Sequence, residues 1–497
     1  MKAALEKPAP GAQEHRWSKR LILWAVVLTA ANVLADVVIG SPMMVLPQLL
    51  EHFDTDQAAW LNASAMLAGA IWSPLLAKSS DIFGKRRILI GTLLLACTGA
   101  LVCLAAPNVW IFLVGRFLQG AAFAAIFLTV ALTRQICTPR VAMALVGLLT
   151  SGSSVVGIIE PFLMKPIIDV FGYRSVFVVA ASLAAVAALC VRSIIPESPI
   201  RSAGRIDVGG ALLLGGGLGA VLAYISLGSD LGWLSGGMIA LLAAGAAALA
   251  GWAFLALRVD EPIIDIRTLR RPILLTLLAL ALAAGAFRSM LQLTSMVAQV
   301  PPDLGLGYGL GKGEAIAVLL AAPNLGIVIG GVCAGWLAGQ IGPRGPLLGG
   351  ILIGAVGTFA MLAGVSVLPL AIACGAMLGI AAGAIGASGY NLATSLEAPE
   401  RQGTIAGLVS VVIALGSVVF NVAGGEVLKA TQIPGNFAGG APVSTATGVY
   451  LYVAIAGVLF VLAAVPAMML ARNRPAAPAT PGAPQHQGSP AAGEPWP

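Results

Sequence analysis

Long, nearly uninterrupted apolar runs dominate the chain, separated by short polar or charged stretches. A helix that crosses a bilayer needs about 20 mostly apolar residues. Runs of that kind fall near 21–46, 57–78, 88–106, 109–133, 141–165 and 174–195. Two more lie near 208–228 and 236–258, and six near 273–298, 313–338, 346–365, 367–392, 402–425 and 446–471. The pattern predicts an all-α integral membrane protein with about fourteen transmembrane helices. Pro196 to Asp207 sets the first six apart from the next two, and Asp260 to Pro272 sets that pair apart from the last six.

The expected divisions are a tail over 1–20, a six-helix bundle over 21–195, an inserted pair over 207–258 and a second six-helix bundle over 273–472. A tail over 473–497, rich in Pro, Ala and Gly, is expected to be disordered. The inserted pair holds few ionisable groups and is expected to pack against lipid and the flanks of the bundles. Residues 1–20 are polar and basic, and the apolar run after them is too long for the core of a cleavable leader.

Composition agrees with lipid as the solvent. The 497 residues are 58% hydrophobic and 10% charged, where soluble domains carry about 25% charged residues. The net charge of +7 would suit nucleic acid if the basic residues were clustered on one surface. They alternate by loop instead. Of 28 Lys and Arg, 22 fall in the N-terminal tail, every second loop and the C-terminal end, 4 fall on the other side, and Arg116 and Arg288 lie within spans. Lys and Arg mark cytoplasmic loops, so both termini are expected in the cytoplasm and no nucleic-acid partner is implied. The six cysteines lie in or beside apolar runs without a CxxC pair and read as packing residues, not as a metal site.

The loop after the second run reads Ala77-Lys-Ser-Ser-Asp-Ile-Phe-Gly-Lys-Arg-Arg87. It resembles the G-x-L-A-D-R-x-G-R-K loop of the major facilitator superfamily, in its fourteen-helix drug:proton antiporter branch. Asp81, Gly84, Lys85 and Arg86 match that pattern. Gly335-Trp-Leu-Ala-Gly-Gln-Ile-Gly-Pro-Arg344 repeats the loop in the second half, with Gly339 in place of the acid. Gly115-Arg-Phe-Leu-Gln-Gly120 is similar to the family's R-x-x-Q-G segment, and Phe171 to Phe177 and Pro399 to Thr404 match further loops in order. The fifth run departs from the glycine-rich antiporter motif: Glu160-Pro-Phe-Leu-Met-Lys165 retains the proline and adds two charges. The resemblance implies two six-helix bundles plus two central helices. It also implies alternating access, with Asp81, Gly84, Lys85 and Arg86 as a conformational gating loop.

Ionisable residues inside a bilayer are costly and point to function. Asp36 lies roughly 22 Å from the inner end of the first span, and Arg116 roughly 10 Å from the outer end of the fourth, at 1.5 Å per residue. Glu160 is expected a little over a turn from the outer end of the fifth. The resemblance makes these three helices neighbours around a central cavity, so Asp36, Arg116 and Glu160 are expected to form one charge cluster. The cluster serves either proton coupling or an inert ion pair that fixes helix packing. Arg288, Asn324 and Asn391 are candidate substrate contacts in the second half. Gly326-Ile-Val-Ile-Gly330, Gly331-Val-Cys-Ala-Gly335 and Gly375-Ala-Met-Leu-Gly379 allow close helix packing.

No P-loop, HExxH or GxSxG is present. The expectation is a monomeric, cofactor-free and metal-free secondary transporter of the cell membrane, not an enzyme. Its partners are a small-molecule substrate, protons and lipid. Proton-coupled efflux of amphipathic, drug-like molecules leads; a dedicated metabolite carrier and a transport-dead receptor are the alternatives.

Overall fold

A computed structural model describes residues 18–55, 58–298, 300–301, 306–310, 312–438 and 441–472. The tails expected over 1–20 and 473–497 therefore lie outside the described residues, apart from Ser18, Lys19 and Arg20.

The first span is α1 (Lys19–Gly40), a five-residue 3-10 turn (Ser41–Val45) and α2 (Leu46–His52). Ser18 caps α1 by accepting from the Leu21 amide at 3.2 Å. The break falls at Gly40-Ser41-Pro42, where a proline removes a backbone donor. Next come α3 (Ala58–Phe83) and α4 (Lys85–Ala105). The fourth span is also broken: α5 (Val109–Gln119), a 3-10 turn (Gly120–Phe123) and α6 (Ala124–Ile136). Then follow α7 (Pro139–Phe171), α8 (Ser175–Ile194), α9 (Val208–Leu231) and α10 (Gly236–Ala256). The second bundle holds α11 (Arg271–Val297), α12 (Lys312–Ile341), α13 (Arg344–Gly364), α14 (Leu368–Ser395), α15 (Gln402–Ala430) and α16 (Ala446–Arg472).

Thirteen of these stretches are long and apolar enough to cross a membrane among the described residues. α3, with 26 residues, has the length for a fourteenth crossing, since about 20 residues span the hydrocarbon. Two elements differ from expectation. Between α15 and α16 the chain forms an antiparallel hairpin, β1 (Gln432–Ala438) and β2 (Ala441–Ser444). A lone hairpin joining two helices carries too short a pattern to stand out beside the long apolar runs. The fifth helix has 33 residues and ends only at Gly172, whose φ of +75° stops it. Glu160 therefore lies about three turns from the end of α7, deeper than the one turn expected.

The outer surface is apolar. Val26, Leu94, Leu189 and Val461 are exposed, as suits lipid contact, where apolar exposure carries no penalty. Inside, glycines bring helices together. A Cβ on Gly326, Gly330, Gly379 or Gly383 would meet backbone atoms across the α12–α14 contact at 2.0–2.3 Å. The helix ends flanking the Lys78–Arg87 segment, the end of α6, the start of α7, the end of α14 and the start of α15 share one end of the molecule. It is called the basic end below.

Candidate functional site

At the basic end, Asp81 of α3 reaches across to the first turn of α15. Its Oδ1 accepts from the Gly403 amide at 2.9 Å, and its Oδ2 accepts from the Thr404 amide at 2.7 Å and the Thr404 hydroxyl at 2.8 Å. These first-turn amides have no acceptor within their own helix, and α15 has no side-chain cap of its own. A carboxylate from the first bundle thus caps a helix of the second, where the helix dipole favours negative charge. Lys85, fully buried, holds the same carboxylate at 2.9 Å, though off the hydrogen-bond direction. Gly403 makes the approach feasible, because a Cβ there would lie 2.3 Å from the Ser80 hydroxyl.

The segment after α8 straps this contact. The Ser202 amide donates to the Asp81 carbonyl at 2.7 Å, the Lys85 amide to the Ser198 hydroxyl at 3.1 Å and the Arg86 amide to Glu197 at 3.0 Å. The Arg86 guanidinium also donates to the Arg192 carbonyl at 2.8 Å. Gly84 turns with a φ of +107°, and a Cβ there would meet Glu197 at 2.8 Å. Sequence reasoning missed Glu197, Ser198 and Gly403. The last lies in the Pro399 to Thr404 segment singled out from the sequence.

Two further bonds join the bundles at this end. The Gln135 side chain donates to the Pro399 carbonyl at 2.7 Å, and the Asn391 amide to the Met143 carbonyl at 3.0 Å. Gly147 of α7 packs on Gly331 and Gly335 of α12 so closely that a Cβ would sit 2.3 Å from the Gly331 carbonyl.

Farther from the basic end the bundles border a half-open cavity of about 550 Å³. Its walls are α3, α11, α15 and the inserted helix α9, with Phe123, Ile126 and Tyr390 beside them. Its polar groups are Ser73, Ser226, Gln292, Ser295, Tyr390, Ser410, Ser417, Asn421 and the guanidinium of Arg288. Of the inserted pair, α9 packs on both bundles. A Cβ on Gly215 or Gly219 of α9 would meet Ile71 of α3, and Trp233, just beyond α9, donates to Glu426 of α15 at 3.3 Å.

Asp36 on α1 lies beside Ser153 of α7 and in the field of Arg288 on α11. Both Asp36 and Arg288 are exposed although they lie within spans, and Arg288 lines the cavity. The expected cluster is therefore redrawn. Arg116 is 1% exposed and donates to the Ile39 carbonyl at 3.1 Å and to Gln119 Oε1 at 2.9 Å. No ion pair to Arg116 occurs among the described residues. Its geometry is that of a clamp on the last turn of α1, where the 3-10 break disrupts the regular hydrogen-bond ladder. Glu160 accepts from the Ser41 hydroxyl in that same break and feels the charge of Asp36. Arg116 and Glu160 thus meet α1 from two sides and not each other.

Of the expected second-half contacts, Arg288 alone lines the cavity. Asn391 is fully buried against α7 near the basic end, because it lies in the last turns of α14. Asn324 lies on α12 beside Gly157 of α7, 3.7 Å from where a Cβ would sit. Asn421, one turn past Ser417 on α15, lines the cavity.

A sequence profile of the Major Facilitator Superfamily matches residues 28–310. The chain is 29% identical over 335 residues to the uridine/deoxyuridine transporter of Lactococcus lactis subsp. cremoris, covering 65% of this chain and 69% of the relative. It is 26% identical over 400 residues to the multidrug resistance protein Stp of Mycobacterium tuberculosis, covering 78% and 72%. The crystal structure of the human organic anion transporter MFSD10 (TETRAN) shares the fold, with a TM-score of 0.63 over 90% of this chain and 99% of that one at 14% identity.

Proposed function

The chain belongs to the Major Facilitator Superfamily, and we propose that this multi-pass transporter moves small amphipathic molecules by proton-coupled alternating access. The observation that carries the proposal is an exposed carboxylate and an exposed guanidinium within spans of opposite bundles, Asp36 on α1 and Arg288 on α11, each in the other's field though not in ion-pair contact. One group comes from each bundle, and Arg288 lines the cavity between them. A carboxylate whose cationic neighbour sits on the other bundle changes its surroundings whenever the bundles rock, and proton affinity follows surroundings. Asp36 is the proton carrier in this reading, with Ser153 orienting it. Glu160 and Arg116 hold the break in α1 through Ser41 and Ile39.

In this reading the protein lies in the cell membrane, and the loop charge supports a basic end and both termini on the cytoplasmic side. The Asp81 contact with α15 then closes the inner side, Asp81, Gly84, Lys85 and Arg86 form the inner latch, and the cavity belongs to an outward-facing state of a monomer. Efflux of drug-like cargo is supported by the likeness to the multidrug resistance protein. A dedicated metabolite carrier is the second reading. It is supported by Glu160 where antiporters carry glycines, and by the likeness to a nucleoside transporter.

The test uses purified protein in proteoliposomes containing a pH-sensitive dye, with ethidium and cholate as drug-like cargoes of opposite charge for the first reading and uridine for the second. The wild type is expected to move protons when one cargo is added, and Asp36→Asn to reduce that signal about tenfold or more while cargo exchange persists. Equal proton movement in Asp36→Asn and wild type would remove Asp36 from the mechanism.

A further inference from the structure

We infer that the cavity between α3, α9, α11 and α15 is the cargo site, and that it takes an amphipathic molecule bearing an acidic or hydrogen-bond-accepting group. The polar pole of the cargo rests on Arg288 and its apolar body lies against the inserted helix α9. The inference rests on the transport reading above and adds the class of cargo and a role for the insert.

The volume, about 550 Å³, lies inside the range of pockets that enclose drug-sized ligands, roughly 300–1,000 Å³. Arg288 is the one charged side chain among the described residues that line it, and no carboxylate does. A lipophilic cation would find no counter-charge on these walls and would face a guanidinium. A carboxylate, sulfonate or imide would find a planar, charged donor suited to such oxygens. Gln292 and Asn421 stand on neighbouring helices to complete the hydrogen bonding. Asp36 of α1 is not among the lining residues and forms no ion pair with this guanidinium, which leaves its donors open to cargo.

The apolar wall belongs in part to the insert. Leu218, Leu222 and Ser226 recur every fourth residue and line the cavity, as one face of a helix does. Leu212 of the same helix is 62% exposed and lies off that face. The glycines of α9 hold this wall against α3, and the bond from Trp233 to Glu426 holds its far end against α15. The insert therefore borders cargo in one direction and lipid in the other.

The test is equilibrium binding to the full chain in lipid nanodiscs, with radiolabelled cholate as an amphipathic carboxylate and tetraphenylphosphonium as a lipophilic cation. Cholate is expected to bind saturably. Arg288→Gln should weaken it about tenfold or more and Arg288→Lys far less, because a charged hydrogen bond to the carboxylate survives. Leu222→Trp should weaken cholate by a similar factor by filling the cavity, and it retains the arginine if Arg288→Gln does not fold. Leu212→Trp should leave binding unchanged. Saturable tetraphenylphosphonium binding without cholate binding overturns the inference. So does cholate affinity indifferent to Arg288→Gln or Leu222→Trp, or no saturable binding of either probe. Binding at equilibrium needs no gradient, so its failure leaves the proton reading of Asp36 standing, and failure of the proton test leaves this one.

Discussion

Arg116 and Arg288 carry the same charge into the membrane region and meet different surroundings. Arg116 is sealed among α1, α4 and α5, with the Ile39 carbonyl and Gln119 as acceptors, and Arg288 opens onto the cavity. A buried charge loses more by losing a partner than it gains by having one, so Arg116 belongs to the structure of the α1 break. Arg116→Gln is expected to lower the stability of the detergent-solubilised protein by roughly 1.5–3 kcal/mol. The proton-to-cargo ratio measured in proteoliposomes should stay at the wild-type value. A changed ratio with unchanged thermal unfolding would make Arg116 a proton carrier instead.

Among the elements, α15 depends most visibly on a distant part of the chain. Its first turn is capped by Asp81, more than 300 positions earlier, and the cap exists only while the bundles touch at the basic end. Asp81→Asn leaves the buried Lys85 without its counter-charge, at a cost of about 3 kcal/mol. Hydrogen exchange read by mass spectrometry should then speed up about a hundredfold over residues 402–406. Unchanged exchange there would show that the contact does not hold the basic end shut. The break between α1 and α2 is a second such element, since Gly40 and Pro42 interrupt the helix and Arg116 and Glu160 fix the interruption from neighbouring helices.

For the whole molecule, the bundles touch backbone to backbone where Gly147 meets Gly331 and Gly335. A side chain there has no room in the present arrangement, so Gly147→Val should shift the population toward a state open at the basic end. Electron-resonance distances between spin labels at the exposed Arg87 and Glu400 should lengthen. An unchanged distance distribution would mean that the helices slide and absorb the methyl groups.

The number and rough limits of the helices were legible in the chain, because lipid offers backbone groups no partner and each span must satisfy itself locally. A local constraint leaves a local signature, a long apolar run closed by charge. The Asp81 loop stood out in the chain because its residues lie within a few positions of one another. The partner of Asp36 was not legible. Arg288 stands 252 positions away, and which of two intramembrane arginines faces it depends on how α1, α5 and α11 are rotated about their axes. The cap that Asp81 places on α15, the clamp of Arg116 on Ile39 and the cavity wall formed by α9 are likewise outcomes of rotation and tilt. Long apolar runs were enough to show that the protein spans a membrane and roughly where its spans fall. Which charges meet was set by folding, because neighbours across helices are chosen by packing of small residues and not by distance along the chain.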